Sequence, residues 1–99
     1  MSATPIPEAE RDFYRLFGAN VRRARELGGL SQRAVARMLR IEQPRVSSWE
    51  TGRLRMNSDQ LSRFVQVLCV SVSYLFEGTE DAAGAARLAR GSRLTQHIP

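Results

Sequence analysis

LSQRAVARMLRIEQPRVSSWETG, residues 30–52, places its apolar side chains where two short helices meeting at a tight turn need them. Ser31 is positioned to cap the first of these helices, whose inward residues are Val35, Met38 and Leu39. Ala36 supplies a small side chain where a second helix crosses closely. Ile41 fills the turn, and beyond it Val46 and Trp49, three apart, face back toward the first helix. That leaves Pro44, Ser47, Ser48 and Thr51 turned outward, and small or polar outward residues suit insertion into a groove. The arrangement predicted is a helix-turn-helix.

The flanking sequence supplies the remaining helices. Upstream, Phe13, Leu16, Phe17, Val21, Ala24 and Leu27 keep helical spacing, with Glu8, Glu10 and Asp12 at the positive end of the helix dipole and Gly28-Gly29 as the stop. Thr4-Pro5-Ile6-Pro7 reads as extended chain, so residues 1–7 form an N-terminal arm. Downstream, Arg53-Leu54-Arg55-Met56 is a loop, and Asn57 with Gln60 gives a capping-box start to a fourth helix that ends near Leu68. Its buried stripe is Leu61, Phe64, Val65 and Leu68. Ser71 caps a short fifth helix bearing Val72, Leu75 and Phe76 and ending at Gly78. Residues 8–78 are therefore expected to form one all-α domain. Residues 79–99, rich in alanine, glycine and arginine, form a tail, flexible or partly helical from about Asp81 to Arg90.

Composition excludes several function classes. A chain of 99 residues with 42% hydrophobic content builds one modest core and leaves no room for a second domain. The single cysteine, Cys69, cannot form a disulfide within the chain, and no cysteine/histidine set has metal-ligand spacing. The only histidine, His97, lies in the tail, away from any acid pair or nucleophile/base set, so neither an enzyme nor a cofactor is expected. No apolar run approaches the ~18 residues of a membrane span, and MSATPIPEAE has acids where a signal peptide needs basic residues. A soluble cytoplasmic protein is the expectation.

Charge narrows the choice of partner. The net charge is +5, and residues 11–76 hold twelve arginines against five acids. All fifteen basic residues are arginine, each able to form forked hydrogen bonds to a phosphate, although the codon bias of a GC-rich genome also removes lysine. The concentration of positive charge in the motif-bearing region is the more informative fact, and it points to nucleic acid.

The same residues carry a resemblance. Leu30-Ser31-Gln32, the spacing Val35-Ala36, Leu39, Ile41, Val46, Trp49, and the closing Trp49-Glu50-x-Gly52 resemble the Cro/phage-repressor (XRE-like) family of bacterial DNA-binding domains. Phe17-Gly18-x-x-Val21-Arg22-x-x-Arg25 is similar to that family's first helix, and Cys69 to Phe76 to its last, so the likeness covers roughly residues 10–78. It implies a five-helix, lambda-repressor-like fold whose third helix lies in the DNA major groove while the second crosses the phosphate backbone.

What the resemblance implies for each residue follows from chemistry at those positions. Gln43, early in the recognition helix, is the expected base reader, since its amide matches adenine N7 and N6 in a bidentate pair. Gln32, eleven residues earlier, is expected to reach a phosphate and brace Gln43. Arg45 reaches either guanine O6/N7 or a phosphate, Ser47 and Ser48 bond either, and Pro44 offers apolar contact to a thymine methyl. Ser31, Arg22, Arg53 and Arg55 are expected on the backbone. Arg25 and Glu50 are expected to pair architecturally, and Trp49 to belong to the core.

Three residues depart from the family pattern. Arg40 stands where a glycine is usual, so a left-handed turn there costs roughly 1–2 kcal/mol or the turn is reshaped. Glu42 replaces the usual Ser or Thr cap, and Pro44 biases Gln43 away from helical geometry, which moves the predicted helix start to Pro44. The function expected is a sequence-specific, DNA-binding transcriptional regulator that binds a pseudo-palindromic operator as a homodimer through helix 5 or the tail. The alternative is an antitoxin-type protein that holds a toxin partner through the tail and autoregulates its operon.

Overall fold

Side-chain caps set where three of the five helices begin. The computed structural model describes residues 6–79 as a short 3₁₀ turn, Glu8–Glu10, followed by α1 (Arg11–Leu27), α2 (Gln32–Leu39), α3 (Gln43–Glu50), α4 (Ser58–Leu68) and α5 (Val72–Leu75). Ser31 Oγ accepts from the Ala34 N–H at 3.0 Å to start α2, and Ser71 Oγ accepts from the Tyr74 N–H at 3.1 Å to start α5. At α4 the capping box closes in both directions, with Asn57 Oδ1 accepting from Gln60 N at 2.8 Å and Gln60 Oε1 accepting from Asn57 N at 2.9 Å. Five α-helices and no strand are present among the described residues. The helical piece expected near Asp81–Arg90, and His97, lie outside them.

The helix ends bring the departures to a resolution. Arg40 takes the left-handed conformation (φ 60°, ψ 47°) at the end of α2, and the following Ile41 N–H reaches back to the Ala36 carbonyl at 2.9 Å. The turn is thus kept, not reshaped, and an arginine bears the conformational cost that glycine would avoid. Cys69 repeats the same device at the end of α4, with φ 56° and Val70 N bonded to the Val65 carbonyl at 3.2 Å. Helix α3 begins at Gln43, one residue before the predicted start at Pro44, because Glu42 upstream is extended (φ −88°, ψ 144°) and Pro44 falls in a first turn that needs no N–H from it. Glu42 makes no side-chain capping bond.

One core joins all five helices: Phe17, Val21 and Ala24 of α1, Val35, Ala36 and Leu39 of α2, Val46 and Trp49 of α3, Phe64 of α4 and Leu75 of α5. Helix α3 packs on both α1 and α2, and its approach to α1 is backbone against backbone. A Cβ at Gly18 would lie 2.2 Å from the Trp49 carbonyl oxygen, so only glycine admits this crossing.

Four expectations need correction. Met38 is 47% exposed, since it sits on the flank of α2 beside the face that Val35 and Leu39 bury. Leu27, the last residue of α1, is 75% exposed, and Leu16 is 37% exposed at the margin of the packed face. Helix α5 is a single turn ending at Leu75, with Phe76 as its C-cap and Val72 half-exposed, so its reach to Gly78 is not realised. Phe76 instead lays its ring edge-on against Phe13 and Phe17, with centroids 6.0 and 5.1 Å away.

Sequence periodicity gave no sign of Asn20, a buried amide that donates to the Leu75 and Glu77 carbonyls at 2.9 Å each. It ties the α5 end to α1 and satisfies carbonyls that a one-turn helix leaves open.

Candidate nucleic-acid interface

A continuous hydrogen-bonded chain runs from α1 to the first turn of α3. Arg25 Nε donates to Glu50 Oε2 at 2.5 Å and Nη2 donates to Glu50 Oε1 at 3.0 Å, while Nη1 donates to the Leu30 carbonyl at 2.9 Å. The pair is sheltered, with side chains 12% and 3% exposed. Bonding to Glu50 outweighs the opposing effect of burial and raises the Arg25 pKa above its ordinary value, so the guanidinium stays charged at any physiological pH. Glu50 Oε1 also accepts from Gln32 Nε2 at 2.9 Å, and Gln32 Oε1 accepts from Gln43 Nε2 at 2.6 Å. The structure therefore brings four of the sequence-predicted residues, Arg25, Glu50, Gln32 and Gln43, into one assembly spanning three helices.

Around this assembly α3 leaves Pro44 and Arg45 exposed and Ser47 and Ser48 partly so. Arg45, Pro44 and Ser48 line one side of a groove of about 580 Å³ that continues to Arg40, Leu54 and Gln60. Ser48 has a second task, since its carbonyl accepts from the N–H groups of Arg53 and Leu54 and so closes α3 into the following loop. That loop leaves Arg53 and Arg55 exposed, and it rests directly on α1: Gly52, at φ 79°, would carry a Cβ 2.9 Å from the Arg15 backbone. Trp49 is 1% exposed and belongs to the core, and Ala36 lies buried in the same cluster.

Two predicted residues stand apart from the assembly. Arg22 is exposed and its Nε bonds Glu26 Oε2 on its own helix at 2.9 Å. Ser31 is occupied as the α2 cap, which uses its oxygen as acceptor and leaves its hydroxyl proton for another partner.

Sequence reasoning passed over Arg33 and Arg37 and took Arg40 only as a turn residue. All three are exposed, they recur at i, i+4 and i+7 along α2, and among the described residues none is joined to a carboxylate. Like charges so spaced destabilise a helix slightly, which a polyanion partner offsets. The signal was legible as an arginine stripe without any acid between residues 30 and 41.

Residues 16–74 match the helix-turn-helix domain family. The chain belongs to that family. Two crystal structures of the clp gene regulator ClgR from Corynebacterium glutamicum share the fold. One superposes with a TM-score of 0.65 at 22% identity, covering 83% of this chain and 99% of that one. The other gives 0.64 at 23% identity, covering 87% and 89%. No curated protein matches the chain. Among the described residues no helix is long and apolar enough to cross a membrane, and no group of acids, histidines or cysteines is placed to hold a metal ion.

Proposed function

We propose that this helix-turn-helix protein is a sequence-specific, DNA-binding transcriptional regulator that inserts α3 into the major groove of duplex DNA. The observation that carries the reading is the chain Arg25–Glu50–Gln32–Gln43. It holds a base-reading amide in the first turn of an exposed helix and anchors it to both neighbouring helices, which is the preorganisation that base discrimination demands. Gln43 reads adenine, Pro44 meets a thymine methyl, Arg45 meets guanine or a phosphate, and Ser47 and Ser48 add polar contacts.

The arginine excess supplies the sequence-independent part of affinity. Arg53 and Arg55 after α3, with Arg22, Ser31 and Gln32 on the other flank, contact the phosphate backbone, and Arg33, Arg37 and Arg40 extend that track along α2. Two copies, with recognition helices roughly 34 Å apart, read a pseudo-palindromic operator. The half-exposed Val72, Phe76 and Leu16 supply apolar surface for their contact. The resemblance of the fold to a regulator of clp genes supports a role in transcription. The test is selection from a random duplex library: a recurrent half-site, repeated in inverted order about one helical turn apart, is expected. Enrichment of no sequence over the input pool contradicts the proposal.

A further inference from the structure

The amide of Gln32 has no freedom to turn over. Glu50 Oε1, already accepting from Arg25, is a carboxylate oxygen and can only accept, so the Gln32 side chain must present its NH₂ to Glu50. Its carbonyl oxygen is thereby directed at Gln43, and that oxygen also can only accept, so Gln43 must present its own NH₂ to Gln32. What Gln43 retains for an outside partner is one carbonyl oxygen and one N–H.

We infer that Glu50, acting through Gln32 as a positioning residue, sets the polarity of the Gln43 amide and makes it select adenine over guanine. Adenine offers a donor at N6 and an acceptor at N7, which matches one acceptor and one donor on the amide. Guanine offers two acceptors, O6 and N7, and a bidentate fit would require both N–H groups of Gln43, one of which Gln32 holds. If Gln32 were reversed, Gln43 would accept from it and turn two N–H groups outward, the arrangement guanine favours. The polarity thus originates in the charge state of a buried ion pair with its base-reading consequence two side chains away. This inference rests on α3 being the reading helix.

The test compares binding to two duplexes that differ only by adenine or guanine at the base whose preference Gln43→Ala abolishes. The wild type is expected to favour adenine about tenfold or more, within the roughly 5- to 150-fold that one bidentate pair supplies. Gln32→Met leaves the Arg25–Glu50 pair intact but breaks the relay, and the ratio should fall below about threefold. Gln32→Lys donates both to Glu50 and to the Gln43 oxygen, and the preference should swing toward guanine. Glu50→Gln, which can donate or accept, should also relax the ratio. A merely structural role would weaken both duplexes equally and leave the ratio unchanged. Retention of the wild-type ratio by Gln32→Met and Gln32→Lys, or a wild-type preference for guanine, overturns the inference while leaving α3 as the reader. If Gln43→Ala alters no base preference at all, the reading helix is misassigned and both conclusions fall.

Discussion

Glu50 is bound by Arg25 through both of its carboxylate oxygens, and the Arg25 guanidinium at the same time holds the Leu30 carbonyl at the entry to α2. One ion pair consequently joins the end of α1, the start of α2 and the end of α3. The arrangement explains why α3 keeps a defined position although it gives the core only Val46 and Trp49.

Removing the cation should expose how much depends on this junction. Arg25→Ala leaves a carboxylate of 3% exposure without its counter-charge, and breaking a buried pair from one side costs about 3 kcal/mol or more. Against a total stability of about 5–15 kcal/mol, the loss is expected to be plain in a urea titration. A decrease below about 1 kcal/mol would show that Glu50 does not need Arg25. Arg25→Lys should recover little, since a single ammonium cannot reproduce three directed hydrogen bonds.

Arg40 and Cys69 form a natural pair of controls, being the two non-glycine residues with left-handed backbone among those described. Replacing either with glycine should relieve strain and raise stability by about 1 kcal/mol. Only Arg40→Gly should also weaken DNA binding, because Arg40 lies in the α2 arginine stripe and lines the groove beside Arg45. Thermal denaturation and binding isotherms on the two variants check this, and equal DNA affinity for both would remove Arg40 from the interface.

Arg53 and Arg55 should act through charge alone. Each replacement by alanine is expected to weaken specific and random DNA alike, and to reduce the slope of log K against log salt by about 0.9 for each phosphate no longer neutralised. An unchanged slope for both would place the loop away from the backbone.

Much of this architecture was legible in the sequence, for reasons that differ by element. The inner face of α2 and the caps Ser31, Asn57 and Ser71 could be read because helical periodicity and capping are local properties. Met38 and Leu27 could not, since exposure at the flank or the end of a helix depends on how neighbouring elements pack, which apolar spacing alone does not specify. Arg40 was visible as a departure, but its outcome turned on whether the close packing of α2 and α3 outweighs a local conformational cost. Asn20 and the Gln32–Glu50 bond join residues 18 or more apart in the chain through polar atoms, which leave no trace in apolar spacing. The pairs Arg25–Glu50 and Gln32–Gln43 were expected from the resemblance, while the Gln32–Glu50 bond that joins them was not.

Everything proposed for DNA recognition turns on Gln43, at the start of α3, reading a base. The ratio of affinities for the selected operator and for random duplex, in wild type and Gln43→Ala, bears on this without intermediaries. That ratio should fall by roughly 5- to 150-fold per half-site while affinity for random DNA is preserved. Equal decreases on both duplexes, or no decrease on either, would mean that Gln43 is not a reader.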